Sequence, residues 1–200
     1  MRNVHWLVCI AAVWLVLGAV GFWALLKYEN TPGGRGVTPS QWPAEAQIAR
    51  RTGGPALILF AHPKCPCTRA SLNELNRLLA RCGGKLTATV LFFQPGARGE
   101  NWARGALWNS AAAIPGVTVL ADSDGTEARR FGAATSGFTV LYDAEGRLQF
   151  EGGITPGRGH EGDSAGAQAI ASIVGRNGTK VRQAPVFGCG LMGLCRSPGR

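Results

Sequence analysis

Acidic side chains are few in this chain: 12 Asp and Glu stand against 21 Lys and Arg in 200 residues, for a net charge of +9. Histidine is scarcer, with only His5, His62 and His160. No H-E-x-x-H pair can be built from them, so a zinc-protease helix is excluded. The arginines are scattered (Arg50, Arg51, Arg69, Arg77, Arg81, Arg129, Arg130) and no basic run interleaves with aromatics. That pattern does not make a nucleic-acid surface, and the basic excess points instead to weak attraction for anionic lipid head groups. No internal repeat occurs, so a repeat architecture is not expected.

One segment lacks Asp, Glu, Lys and Arg altogether. Residues 4–26 read VHWLVCIAAVWLVLGAVGFWALL. At ~1.5 Å per residue this stretch reaches about 34 Å, enough to cross a hydrocarbon core of ~30 Å. Trp6 at one end and Trp23 and Tyr28 at the other suit the two interfaces. A cleaved signal peptide is the competing reading. Its apolar region usually runs ~7–15 residues and ends at small side chains, whereas the exit here, FWALLKYEN, is bulky. An uncleaved, single-pass membrane anchor is therefore expected. Arg2 before the span and Lys27 after it nearly balance, and a first span ahead of a large domain ordinarily exports that domain. The C-terminal part is expected in the periplasm or another extracytoplasmic space.

The remaining chain divides into a linker (27–54), a main domain (55–178) and a tail carrying glycine and cysteine (179–200). Within the Gly- and Pro-rich linker, residues 43–51 predict a short helix. The apolar run ALILFA (56–61) has strand length, and leucines at 72, 75, 78 and 79 repeat at helical spacing over 68–81 until Gly83-Gly84. Strands are predicted at 86–93, 117–122, 138–143 and 147–152, with a hairpin turn at Ala144-Glu145-Gly146. Helices are predicted at 100–114, 126–131 and from a cap at Asp163 or Ser164 to 174. This β-α-β-α-β-α-β-β-α order predicts an α/β sandwich with a mixed central sheet flanked by helices.

Six cysteines are present: Cys9, Cys65, Cys67, Cys82, Cys189 and Cys195. Cys9 lies in the apolar span, and Cys82 after a helix reads as buried packing. Cys65 and Cys67 sit in FAHPKCPCTRASLNELNRLL, between a strand and a helix. At such a junction the unpaired first-turn N–H groups and the positive end of the helix dipole stabilise a thiolate, and cysteine pKa values there fall from ~8.5 to between ~3.5 and ~7.5. Lys64 and Arg69 add positive potential, and Pro66 suits the first helical position. An oxidising compartment favours such chemistry. Residues two apart on a helix do not face each other. A Cys65–Cys67 disulfide would therefore be strained and oxidising, or else Cys65 needs another resolving thiol. Cys189 and Cys195 in GCGLMGLCR offer one, or instead form a stapling disulfide between themselves. His62 is either a group that takes the Cys65 proton or a loop histidine. His160 and Glu161, in RGHEGD, read as a capping loop.

The stretch HPKCPCTRASLNEL resembles the W-C-x-x-C-R-A-E-x-P-x-L pattern of the thioredoxin-like superfamily, in its membrane-anchored TlpA-like and redoxin-like branch. FTVLYDAEGRLQFEGG resembles that family's P-T-x-x-L-I-D-x-x-G hairpin. HPKCPCTRAS together with RGHEGDSAG is similar to the RedB-type proteins of the superfamily. The resemblance implies a membrane-tethered thiol–disulfide oxidoreductase. Cys65 would be its nucleophile, Cys67 its resolving thiol, and protein thiols and disulfides or a membrane redox partner its substrates, with no organic cofactor. It also puts Cys67 one place short of the family's second cysteine, and leaves Ser136-Gly137-Phe138 where the family has a cis-proline. The alternatives are a copper-binding module using Cys65, Cys67 and His62, because Cu(I) favours thiolates, a redoxin-type peroxidase, and a non-catalytic interaction domain. The P-x-x-x-T-x-x-C loop of redoxin peroxidases is not found around Cys65.

Overall fold

The computed structural model describes residues 2–50, 53–99 and 101–192, and Cys195 lies outside them. These residues form two compact units, the first ending at Thr31 and the second starting at Pro32. The first unit is helix α1 (Arg2–Asn30). Every large apolar side chain from Val4 to Leu26 is exposed on it. A helix that is apolar all round has no soluble face to present. Over Val4–Asn30 it is long and apolar enough to be a membrane span or a signal sequence.

The second unit contains five strands and four helices: β1 (Ala56–Ala61), α2 (Cys67–Cys82), β2 (Thr87–Gln94), α3 (Ala106–Ala112), β3 (Val117–Ser123), α4 (Thr126–Arg130), β4 (Phe138–Tyr142), β5 (Leu148–Gly152) and α5 (Ala165–Val174). The sheet order is β3-β2-β1-β4-β5. β1, β2 and β3 run parallel, and β4 and β5 are antiparallel to their neighbours. β1 is the central strand and is buried along its whole length, which explains its unbroken apolar sequence. Leu57, Leu59 and Ala61 face one core layer with Leu72, Leu75 and Leu78 of α2, Phe150 and Ile170. Ile58 and Phe60 face the other, with Phe131, Phe138, Val140 and Tyr142.

Local chemistry sets the helix ends. Gly83 takes the left-handed conformation, φ 56°, that closes α2. The Asp122 carboxylate accepts the N–H groups of Glu127 (2.8 Å) and Ala128 (2.9 Å) at the start of α4. The Ser164 hydroxyl accepts Ala167 N–H (3.2 Å) at the start of α5, as its capping sequence predicts.

Three expectations change. The helix predicted at 43–51 does not form over its described residues, which make turns. Their bonding groups are drawn elsewhere: Gln47 N–H donates to Glu127 (3.3 Å) and Arg50 donates to the Ala144 carbonyl, while Ile48 is buried. The helix predicted at 100–114 is confined to Ala106–Ala112. Gly105 is fully extended just before it, and the Gln94 side chain ties Ala103 N–H (2.8 Å) and Gly99 C=O (3.0 Å) into a loop. The stretch read as a linker is in large part a strap. Gly36 N–H donates to Gly132 C=O and Trp42 N–H to Gly146 C=O, both at 2.8 Å. The Trp42 ring packs edge-on against Phe131 (5.2 Å) and Tyr142 (5.4 Å).

Candidate active site

β1 ends at Ala61 in the middle of the sheet, and five residues carry the chain from there to α2. Two tight turns fold this loop: Cys65 N–H donates to His62 C=O and Thr68 N–H donates to Cys65 C=O, both at 3.1 Å. Cys65 thus lies at the mouth of α2, whose first turn contains no acidic residue to compete with a thiolate. Its side chain is completely buried, at 0% exposure, whereas Cys67 is half-buried.

Among the influences that lower the Cys65 pKa, hydrogen bonding from the Cys67 thiol comes first, followed by the N–H and thiol of Cys189 and by Cys67 N–H. These donors, led by the Cys67 thiol, outweigh burial and pull the Cys65 pKa down to about 4. Cys67 moves the other way. Its bond to Cys65, its burial and the adjacent negative sulfur keep it protonated far above the ordinary range, against the opposing charge of Arg158. Cys65 and Cys67 are not joined to each other by a disulfide.

The peptide groups beneath Cys65 are held by a small hydroxyl network. Ser136 Oγ accepts His62 N–H at 2.9 Å. Thr68 Oγ1 donates to His62 C=O at 3.1 Å and lies 3.0 Å from Ser136 Oγ. Since the Thr68 proton goes to His62, the Ser136 proton goes to Thr68, and every donor in the chain is used. The segment 135–138 leading into β4 is held by backbone bonds of its own. Ser136 N–H donates to Cys189 C=O (2.8 Å), Gly137 N–H to Phe60 C=O (2.7 Å) and Phe138 N–H to Thr135 C=O (3.1 Å). Proline has no N–H, so it could supply none of these bonds.

His62 is buried between Phe93, stacked at 6.0 Å, and Trp102, edge-on at 5.7 Å. Lys64 Nζ lies 4.7 Å over the same Trp102 ring. Burial lowers the His62 pKa, and its Nδ1 accepts Lys64 N–H at 3.2 Å. The imidazole is thereby neutral with its proton on Nε2. The Nδ1 contact braces the loop backbone, and the Cys65 charge opposes the effect of burial on the imidazole. Among the described residues, no group of three His, Cys, Asp or Glu is placed to hold a metal ion.

Cys82 is at the far end of α2 and burial raises its pKa. His160 is exposed in the 157–162 loop, with its N–H returned to Gly157 C=O (3.4 Å). Glu161 fastens that loop to α2 through Asn73 (2.6 Å) and Arg77 (2.8 Å). Thr68, Ser136 and Arg158 carry side-chain bonds here that no motif in the sequence announces. Arg158 donates to the Gly188 carbonyl beside Cys189. Its one advance sign was its position in the RGHEGD stretch.

No protein-family profile matches the chain, and no curated protein does. Solved structures do match. A hypothetical protein from Sinorhizobium meliloti superposes with a TM-score of 0.57 at 19% identity, over 82% of this chain and 96% of its own. An uncharacterised conserved protein from Geobacillus kaustophilus gives 0.57 at 16%, over 84% and 96%. A secreted Mycobacterium tuberculosis disulfide oxidoreductase overlays more loosely, with 0.43 at 19% over 62% and 83%. At such identities the likeness speaks to the fold alone. The fold is thioredoxin-like.

Proposed function

We propose that this chain is a membrane-tethered thiol–disulfide oxidoreductase of the TlpA-like, RedB-type branch, with Cys65 of the Cys65-Pro66-Cys67 motif as its nucleophile. The observation that carries the reading is the buried Cys65 sulfur at the mouth of α2, supplied with hydrogen bonds by two other thiols. A thiolate at neutral pH is the attacking species in disulfide exchange. It forms a mixed disulfide with one substrate sulfur and releases the other. A second thiol already in contact then displaces the first substrate sulfur, so the substrate gains two electrons and the protein dithiol becomes a disulfide. α1 would hold this chemistry at the membrane surface, near membrane-borne dithiol donors and exported proteins. No organic cofactor is called for.

The test is reduction of insulin disulfides by full-length protein in detergent, with dithiothreitol as the electron source. Cys65→Ser is expected to lose at least a hundredfold in rate, and a chelator is expected to leave the wild type unchanged. Undiminished turnover in Cys65→Ser would overturn the reading. So would tight, stoichiometric Cu(I) binding by a protein without thiol exchange, or peroxide consumption in its place.

A further inference from the structure

We propose that Cys189, carried by the tail segment 186–191, is the thiol that closes onto Cys65, so that the working disulfide joins Cys65 to Cys189 and Cys67 remains a thiol. The inference rests on the oxidoreductase reading above and specifies its second sulfur.

The tail is laid as a short antiparallel strand against the segment ahead of β4. Thr135 and Gly190 form a bridge, Ser136 N–H donates to Cys189 C=O at 2.8 Å, and Leu191 N–H donates to Ala134 C=O at 2.9 Å. Both flanks are anchored. Val186 and Leu191 are buried in the core layer with Phe60 and Phe138, Val186 C=O accepts Gly33 N–H at 2.8 Å, and Arg158 holds the Gly188 carbonyl. Cys189 lies between these anchors, its C=O holds Ser136 N–H at 2.8 Å, and the Ser136 hydroxyl in turn holds His62 N–H at 2.9 Å in the loop that carries Cys65. The Cys189 N–H and thiol are among the donors that lower the Cys65 pKa. Joining Cys65 to Cys67 is harder, because Cys67 is the first residue of α2 and its backbone is committed to the helix. Cys67 serves better as the donor that keeps Cys65 anionic.

The burial of Cys65 adds a consequence. A substrate disulfide cannot reach a sulfur with no exposed surface, so the tail must unpair first. A terminal segment held by a few backbone bonds is the kind of element that opens locally. With the tail open, the Cys65 thiolate attacks the substrate disulfide. The substrate S–S bond breaks, and the departing thiolate takes a proton from water. When the tail re-pairs, Cys189 gives its proton to solvent and attacks the Cys65 sulfur, expelling the second substrate thiolate. The substrate is reduced by two electrons, and the Cys65/Cys189 pair is oxidised by two. An external dithiol restores the pair by the reverse exchange.

The experiment uses full-length Cys195→Ser protein in detergent, oxidised with glutathione disulfide, acid-quenched and digested with trypsin for mass spectrometry. The expected main product links the 65–69 peptide, which carries both Cys65 and Cys67, to the 183–196 peptide, with fragmentation placing the bond on Cys65 and leaving Cys67 a thiol; a bond placed on Cys67 would overturn the proposal. A Cys65–Cys67 bond as the main product would overturn the proposal. Gly188→Ala supplies a second arm, since a Cβ there would collide with the Ser136 carbonyl oxygen. It is expected to cut the linked yield at least fivefold and to speed Cys65 alkylation by a similar factor. No change in either quantity counts against the tail. Cys189→Ser, which leaves Gly188 in place, is expected to accumulate a Cys65–substrate mixed disulfide that Cys67→Ser does not; the reverse outcome reassigns the resolving role to Cys67. Failure here is separable from failure of the oxidoreductase reading, which Cys65→Ser turnover decides independently.

Discussion

At the scale of the residue, the chemistry of Cys65 is set by its immediate donors. The Cys67 thiol supplies the strongest of them, and a hydrogen bond to a charged group is worth ~1.5–3 kcal/mol. Removing it in Cys67→Ala is expected to raise the Cys65 pKa by about one unit or more, whereas Cys67→Ser keeps an O–H donor and moves it less. The pH profile of iodoacetamide labelling at Cys65, read by peptide mass spectrometry, checks this; identical midpoints in the two variants would contradict it. The same shift makes stability depend on pH. Between about 4 and ~8.5 the native thiol is ionised while the unfolded one is protonated, so unfolding takes up a proton and stability rises with pH. That contribution is fully present above ~8.5 and is lost as pH falls through about 4. Under reducing conditions, the melting-temperature gap between wild type and Cys65→Ser is expected to widen from pH 4 to pH 8. A constant gap would show that the sulfur is not ionised in the folded protein.

At the scale of the element, two irregular segments complete the domain. The strap from residue 33 to 50 and the tail from 182 to 191 lie outside the β-α-β framework, yet both bond to the region just before β4. Gly34 C=O accepts the Thr135 hydroxyl (2.6 Å), and the tail pairs with Ala134 and Ser136. The strap contributes Trp42 to the aromatic group of Phe131 and Tyr142. Trp42→Ala is expected to cost about 2–3 kcal/mol in urea unfolding, toward the low side for loss of a large aromatic because the ring is only half-buried. A cost below about 0.5 kcal/mol would mean that the strap is dispensable to the fold. At the end of α2 and in the turn between β4 and β5, Gly83 and Gly146 take positive φ, where a side chain would be strained.

At the scale of the whole molecule, the chain is two units, the first of them a helix long and apolar enough to be a membrane span or a signal sequence. α1 exposes only apolar side chains over 4–26 apart from His5, Cys9 and its small residues. The thioredoxin-like unit closes its own core on both faces of the sheet. Full-length protein is therefore expected to stay in the membrane pellet after alkaline carbonate washing, with its N-terminal sequence intact. Release into the supernatant, with a new N-terminus beyond residue 26, would make α1 a cleaved signal. A chain starting at Pro32 is expected to melt within about 2 °C of the full-length protein, because the core lies entirely beyond that point. A large loss of cooperativity on truncation would refute this independence.

The amino-acid sequence by itself determined the order of strands and helices, a cap at Asp163 or Ser164, the apolar N-terminal helix, and Cys65 at the junction of β1 and α2. Each is a short-range pattern: periodic apolar residues, a capping hydroxyl, or a run without charge. Only the tertiary structure decided that residues 43–50 form a strap and that Gly105 and Gln94 shorten α3. It also decided that the Ser136 N–H goes to the Cys189 carbonyl, which brings the tail to the segment ahead of β4. These depend on pairing between segments far apart in sequence. A Gly- and Pro-rich stretch carries no periodicity to announce its partner, so its conformation follows from the hydrogen bonds and buried surface that the folded core provides.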